Sequence, residues 1–133
     1  MLEKGPNGFN AKLRKALTDA GAFVTQIESE TGRGTPDFHY VKRGPRWVEC
    51  KVSATATLTH VALRPDQIVW HTRNYQAGGA PSYVAVYQNR TGHVFIFDGK
   101  YARIISGLGG ANEVPSYEFL SITAAANWLL EVA

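Results

Sequence analysis

An α/β fold, with a mixed central β-sheet flanked by helices, is predicted for this 133-residue chain by three observations. Apolar residues recur at helical spacing near both ends, strand-like stretches separated by turn residues fill the middle, and a proline-led helical stretch interrupts those strands after the third. Residues 8–20 predict the first helix: Phe9, Leu13, Ala16 and Leu17 form one apolar stripe, Lys12, Arg14 and Lys15 face outward, and Gly21 stops it. Residues 22–27 predict a short strand. A loop over 29–36, carrying Gly32 and Gly34, leads to a strand over 37–41, and Lys42-Arg43-Gly44-Pro45 is a turn by composition. Residues 46–52 return antiparallel, so the first three strands make a meander. Residues 64–77 predict a second helix with Pro65 near its first position, crossing to another strand beside the first three. Strands follow over 82–88 and 93–98 around the turn Asn89-Arg90-Thr91-Gly92, with a third short strand expected over 101–105. Residues 121–132 close the chain as an amphipathic helix, which either packs over the terminal hairpin or mediates dimer contacts.

At this length a single domain over residues 1–133, with a real core, is expected. No apolar run approaches the roughly 20 residues that a membrane span requires. Residues 1–6 lack the charged and apolar regions of a signal peptide, so a reducing cytoplasm is the expected compartment. The single cysteine, Cys50, cannot form an internal disulfide and is expected to be a buried structural thiol. Net charge is only +3, but residues 1–51 hold nine Lys and Arg against six Asp and Glu, while residues 52–133 hold five of each. The basic excess therefore lies in one half of the chain, as phosphate-backbone binding would require.

That half also carries the chemistry. Asp37 opens one strand, and Glu49 and Lys51 stand two apart on the next, hence on one face. The hairpin thus brings two carboxylates and an ammonium to one point. Hard oxygen ligands of this kind suit Mg²⁺ or Mn²⁺. A phosphodiester is anionic with a poor leaving group, so its hydrolysis needs charge neutralisation, an activated water and in-line geometry. Lys51 is placed to orient the water and to act as a point charge on the transition state. Gln67, within Leu63-Arg64-Pro65-Asp66-Gln67, offers an amide to a phosphate or to the water. The plain structural alternative is an exposed hairpin with a cross-strand ion pair.

The run Gly34-Thr35-Pro36-Asp37, the Glu49-Cys50-Lys51 that follows, and Gln67 downstream resemble the PD-(D/E)xK nuclease superfamily, and most of all its virus-type replication-repair nucleases and Holliday junction resolvases. The resemblance implies a restriction-endonuclease-like core and Mg²⁺- or Mn²⁺-dependent cleavage of DNA. It implies catalytic roles for Asp37, Glu49, Lys51 and Gln67, and metal ligation by Asp37, Glu49 and the backbone carbonyl of Cys50. One departure matters. Resolvase-like members carry a Glu on the first helix, followed by two residues, a Leu and later a Gly; here that position is Asn10. An amide is a neutral oxygen ligand, so Asn10 is an additional candidate ligand, with weaker metal affinity or a one-metal site as the consequence. Glu28 and Glu30 are substitutes in principle, whereas Glu3 is expected to fray at the terminus.

Lys12, Lys15, Lys42 and Arg43 are the candidate DNA-binding cations. His39 shares the face of Asp37 but is expected to be structural, and His60, His71 and His93 have no metal-ligand spacing with the cysteine. Trp47, Trp70 and Trp128 are expected in the core, with base-stacking platforms as the alternative. Residues 53–60, with Thr55, Thr57 and Thr59, form either a mobile loop closing on DNA or a plain connector. Gly107-Leu108-Gly109-Gly110 is no nucleotide-binding fingerprint, since no strand-to-helix phosphate turn surrounds it. The expected function is a structure-selective DNA endonuclease acting on branched or four-way junction DNA as a homodimer. The alternatives are a nicking or restriction-like endonuclease and a non-catalytic nucleic-acid-binding module with a decayed site.

Overall fold

A computed structural model describes residues 1–27 and 33–132. The elements run α1 (Phe9–Asp19), β1 (Phe23–Gln26), β2 (Phe38–Val41), β3 (Pro45–Ser53), α2 (Pro65–Gln76), β4 (Ser82–Gln88), β5 (Val94–Asp98), α3 (Ala102–Ile105), β6 (Tyr117–Phe119) and α4 (Ile122–Glu131). Short 3₁₀ turns occupy Gly99–Tyr101 and Gly110–Asn112. The six strands form one mixed sheet in sequence order. All neighbours are antiparallel except β3 and β4, which are parallel because α2 carries the chain back between them.

Strand alternation sorts the core into two layers. Val48, Cys50, Ala85 and Ile96 point to one face, where Phe9, Leu13 and Leu17 of α1 and Ala125, Ala126 and Leu129 of α4 cover them. Val84, Val86 and Phe97 point to the other, beneath Leu58, Val61, Ile68, Ala102 and Ile105. Nearly every residue of β4 is buried, as expected of a strand covered on both faces. The last helix packs against α1 and over the terminal hairpin, and the Tyr40 hydroxyl donates to the Leu129 carbonyl (2.7 Å). Ser121 caps it by accepting from the Ala124 N–H (3.1 Å).

Two sequence expectations fail here. Residues 101–105 are helical, not a strand. Asp98 accepts from the Lys100 N–H (2.9 Å) and starts a tight turn. A side chain at Gly99 would collide with Ser82 and His71, so the backbone hugs α2 and β4 at that point. Ala102 and Ile105, three apart, then share the buried face of a helical turn. The second failure is Glu3, which is not frayed: Phe9 N–H donates to the Leu2 carbonyl (2.7 Å) and Asn10 N–H to the Glu3 carbonyl (3.0 Å). The first N–H groups of a helix lack partners within it, and here the preceding segment supplies them. The β6 strand was not anticipated.

Of the two readings of residues 53–60, the structure favours the connector. The buried amide of Gln88 donates to the carbonyls of Thr55 (3.2 Å) and Ala56 (2.8 Å). Asn89 N–H bonds the Ser53 carbonyl (2.9 Å), and Ala111 N–H bonds that of Thr59 (3.1 Å).

Candidate active site

The site is built by the β2–β3 hairpin. Its register sets Phe38 opposite Val48, so Asp37, one residue earlier, meets the chain at Glu49 and Cys50. The Cys50 N–H donates to Asp37 Oδ2 (2.8 Å), which fixes that carboxylate against β3. Glu49 is 1% exposed, beside Asp37. Burial first, and then the charge of Asp37 and a hydrogen bond with it, hold the Glu49 carboxyl well above the usual carboxylate range, while Lys51 opposes the shift. Glu49 Oε1 is buried and has no hydrogen-bond partner among the described residues. Lys51 Nζ lies 3.9 Å from Glu49 Oε2 and 4.0 Å from Glu3 Oε1, so the ammonium sits between two carboxylates.

Gly34 brings the start of α2 up to the segment that leads into Asp37. With φ +76° it is in the left-handed region, and any side chain there would collide with the Asp66 carbonyl. The chain at Gly34, three residues before Asp37, therefore packs directly on the first turn of α2. Gln67 is buried, and its Oε1 accepts from the Arg64 N–H (2.9 Å), capping the helix. Its amide nitrogen remains available to a ligand. Glu28 and Glu30 lie outside the described residues.

The other sequence candidates differ in where they lie. Asn10 is buried on the first turn of α1, and its Oδ1 accepts from Arg14 Nε (2.7 Å), which leaves one lone pair of that oxygen. Cys50 is fully buried in the α1–α4 layer, and burial pushes its thiol far up, as expected of a structural cysteine. Lys12 and Lys15 line a groove of about 500 Å³ between α1 and α4, behind the sheet from Lys51, and Lys15 is paired with Asp19 (2.6 Å). Lys42 and Arg43 occupy the exposed hairpin turn, about 16 Å from Asp37 at ~3.3 Å per residue. These four cations are not gathered around the carboxylates.

The expectation of a core tryptophan holds for Trp128, which packs on the α4 layer, and fails for the other two. His39, Trp47 and Trp70 form a partly exposed row along the same face as Asp37 and Glu49, with ring centroids 4.8 Å apart (His39–Trp47) and 5.2 Å apart (Trp47–Trp70). Arg33 and Arg73 stand beside that row. The signal that could have found it is parity: residues 47, 49 and 51 share one side of β3.

Among the described residues, no group of three or more His, Cys, Asp or Glu side chains could hold a metal ion. The chemistry of the pair still fits one. Two carboxylates forced together, one with a buried oxygen lacking any donor, are relieved by a divalent cation, and Mg²⁺ keeps several waters and needs few protein ligands.

No protein-family model matches the chain, and no curated protein sequence is similar to it. Its fold has a solved counterpart. The chain superposes on Hjc, a Holliday junction resolvase from the archaeal hyperthermophile Archaeoglobus fulgidus, with a TM-score of 0.56 over 89% of this chain and 97% of that one, at 17% identity. The restriction-endonuclease-like resolvase fold expected from the sequence is therefore the fold observed.

Proposed function

We propose that this protein is a divalent-metal-dependent DNA endonuclease, structure-selective in the manner of a junction-resolving or replication-repair nuclease. The observation that carries the proposal is the Asp37–Glu49 pair, with its buried unpartnered oxygen and Lys51 beside it, on a fold shared with a resolvase. Asp37, Glu49 and, from the resemblance, the Cys50 carbonyl would hold Mg²⁺ or Mn²⁺. When bound, the ion supplies charge neutralisation for the scissile phosphate and lowers the pKa of water. Lys51 donates toward the attacking water or a non-bridging oxygen, and Glu3 and Glu49 keep its ammonium in place from either side. The Gln67 amide nitrogen donates to a neighbouring phosphate. Symmetrical cutting of a junction needs two such sites, so the working form is a homodimer.

The neutral Asn10, where resolvase-like members carry a Glu, favours a second reading, a DNA-binding module that no longer cuts. A panel of duplex, flap, single-stranded and four-way junction DNA, assayed in Mg²⁺ and in excess chelator, separates the two. Metal-dependent cleavage that prefers branched DNA is expected. Asp37→Asn, Glu49→Gln and Lys51→Ala should each lose it, by about 3 kcal/mol or more in barrier. Binding without cleavage in any metal would establish the second reading, and full cleavage in chelator would overturn the metal mechanism.

A further inference from the structure

Beside the catalytic hairpin lies a groove of about 410 Å³ lined by Arg33, Val69, Trp70, Arg73 and Asn74. Its size falls within the range of about 300–1,000 Å³ typical of small-ligand sites. Trp70 follows Gln67 by three residues on α2, and its neighbour Trp47 precedes Glu49 by two on β3. The groove thus begins about 7 Å along the strand from the carboxylate pair. The Trp70 indole is held edge-on by Trp47 and by His71, at centroid distances of 5.2 and 5.3 Å, so it is set in place before any ligand arrives. Asn74 donates to the Ala80 carbonyl (2.8 Å) and shapes the groove without offering that donor. Arg73 is exposed at the rim, and so is Arg33.

An aromatic face flanked by guanidinium groups is what an unstacked nucleotide requires: stacking for the base, and cations for its phosphates. A paired base cannot present its π-face to a side chain, so plain duplex gains only the phosphate contacts. We propose that this groove is a nucleotide subsite, in which Trp70 stacks an unpaired base next to the scissile phosphate and Arg73 and Arg33 take its flanking phosphates. The proposal rests on the nuclease reading and deepens it, since it makes DNA with an unpaired nucleotide at the branch, rather than continuous duplex, the preferred substrate.

The test is direct binding in Ca²⁺, using labelled single-stranded, forked and blunt duplex oligonucleotides of equal length, with wild type, Trp70→Ala, Trp70→Phe and Arg73→Gln. Trp70→Ala should weaken single-stranded and forked DNA about tenfold and duplex by less than about twofold, and Trp70→Phe should recover most of the loss. Arg73→Gln should weaken forked DNA and reduce the steepness of its salt dependence. Equal losses on all three DNAs, or none on any, would overturn the subsite. Trp70→Phe keeps the test decisive if Trp70→Ala folds poorly: a tenfold loss of preference for unpaired DNA in Trp70→Phe, which keeps an aromatic face, would overturn it too. Mg²⁺-dependent cleavage by wild type, measured in parallel, tells the two claims apart. Cleavage with no Trp70 effect removes only the subsite, whereas Trp70-dependent binding without cleavage removes only the nuclease.

Discussion

Glu49 is a carboxyl group placed where a carboxyl group is costly. It is buried against another acid, and one of its oxygens has no donor among the described residues. Such a group costs stability, which is what makes it a candidate site residue. Its folded pKa is raised, so its favourable contribution to folding is complete below the ordinary carboxylate pKa of about 4.3 and is lost as pH rises above it. In metal-free protein at neutral pH, Glu49→Gln should therefore be stabilising, on the order of 1–2 kcal/mol, with the gain shrinking toward pH 4. Thermal melts of both proteins across pH, in chelator, check this. Adding Mg²⁺ should raise the melting temperature of wild type and leave the variant nearly unmoved. At the same scale, the residues of the pair and of Lys51 were legible from types and spacing, because a strand's two-residue period is rigid. Glu3 was not, because its position depends on the orphan N–H groups of α1, and no pattern within residues 1–8 announces that bond.

His71 joins two elements. It is fully buried on α2, and its Nδ1 lies 2.8 Å from Ser82 Oγ at the start of β4, under the tight turn at Gly99. Burial pushes its pKa down to about 4. The sign is opposite to that of Glu49: the contribution is present above about 6.5 and is lost as pH falls toward 4, up to about 3 kcal/mol in all. His71→Asn, which keeps a polar partner for Ser82, should flatten the loss of stability between pH 6.5 and 4, read as the difference in denaturation midpoints. Helices and strands of this chain were largely visible in its hydrophobic periods. The exception, residues 101–105, carries Ala102 and Ile105 at a spacing that a short strand and a helical turn both tolerate, and the close packing at Gly99 decides for the helix. Trp47 and Trp70 misled in another way, since apolar neighbours in sequence did not put them in either core layer.

Across the whole molecule, the sheet divides the cations into two populations. Lys12 and Lys15 lie over the α1–α4 layer, while Lys51, Arg33 and Arg73 attend the α2 side, where Glu49 and the aromatic row face. DNA whose phosphate reaches the carboxylate pair meets the second population. Neutralising Arg33 and Arg73 together should lower the slope of log affinity against log salt by about 2, and neutralising Lys12 and Lys15 should leave it near the wild-type value. A titration of binding against salt for both double variants is the check. Local charge counting pointed to the basic half of the chain, but which side of a sheet each cation occupies follows from the fold.

Cys50 has a use of its own. Its sulfur is sealed beneath α1 and α4, on the residue between Glu49 and Lys51, and it is the chain's single thiol. A thiol reagent in solution can reach it only when the central strand is uncovered, so the rate of modification times that opening event without any introduced probe. The chain thus carries a built-in clock on β3, and cation binding at the adjacent carboxylates should slow it.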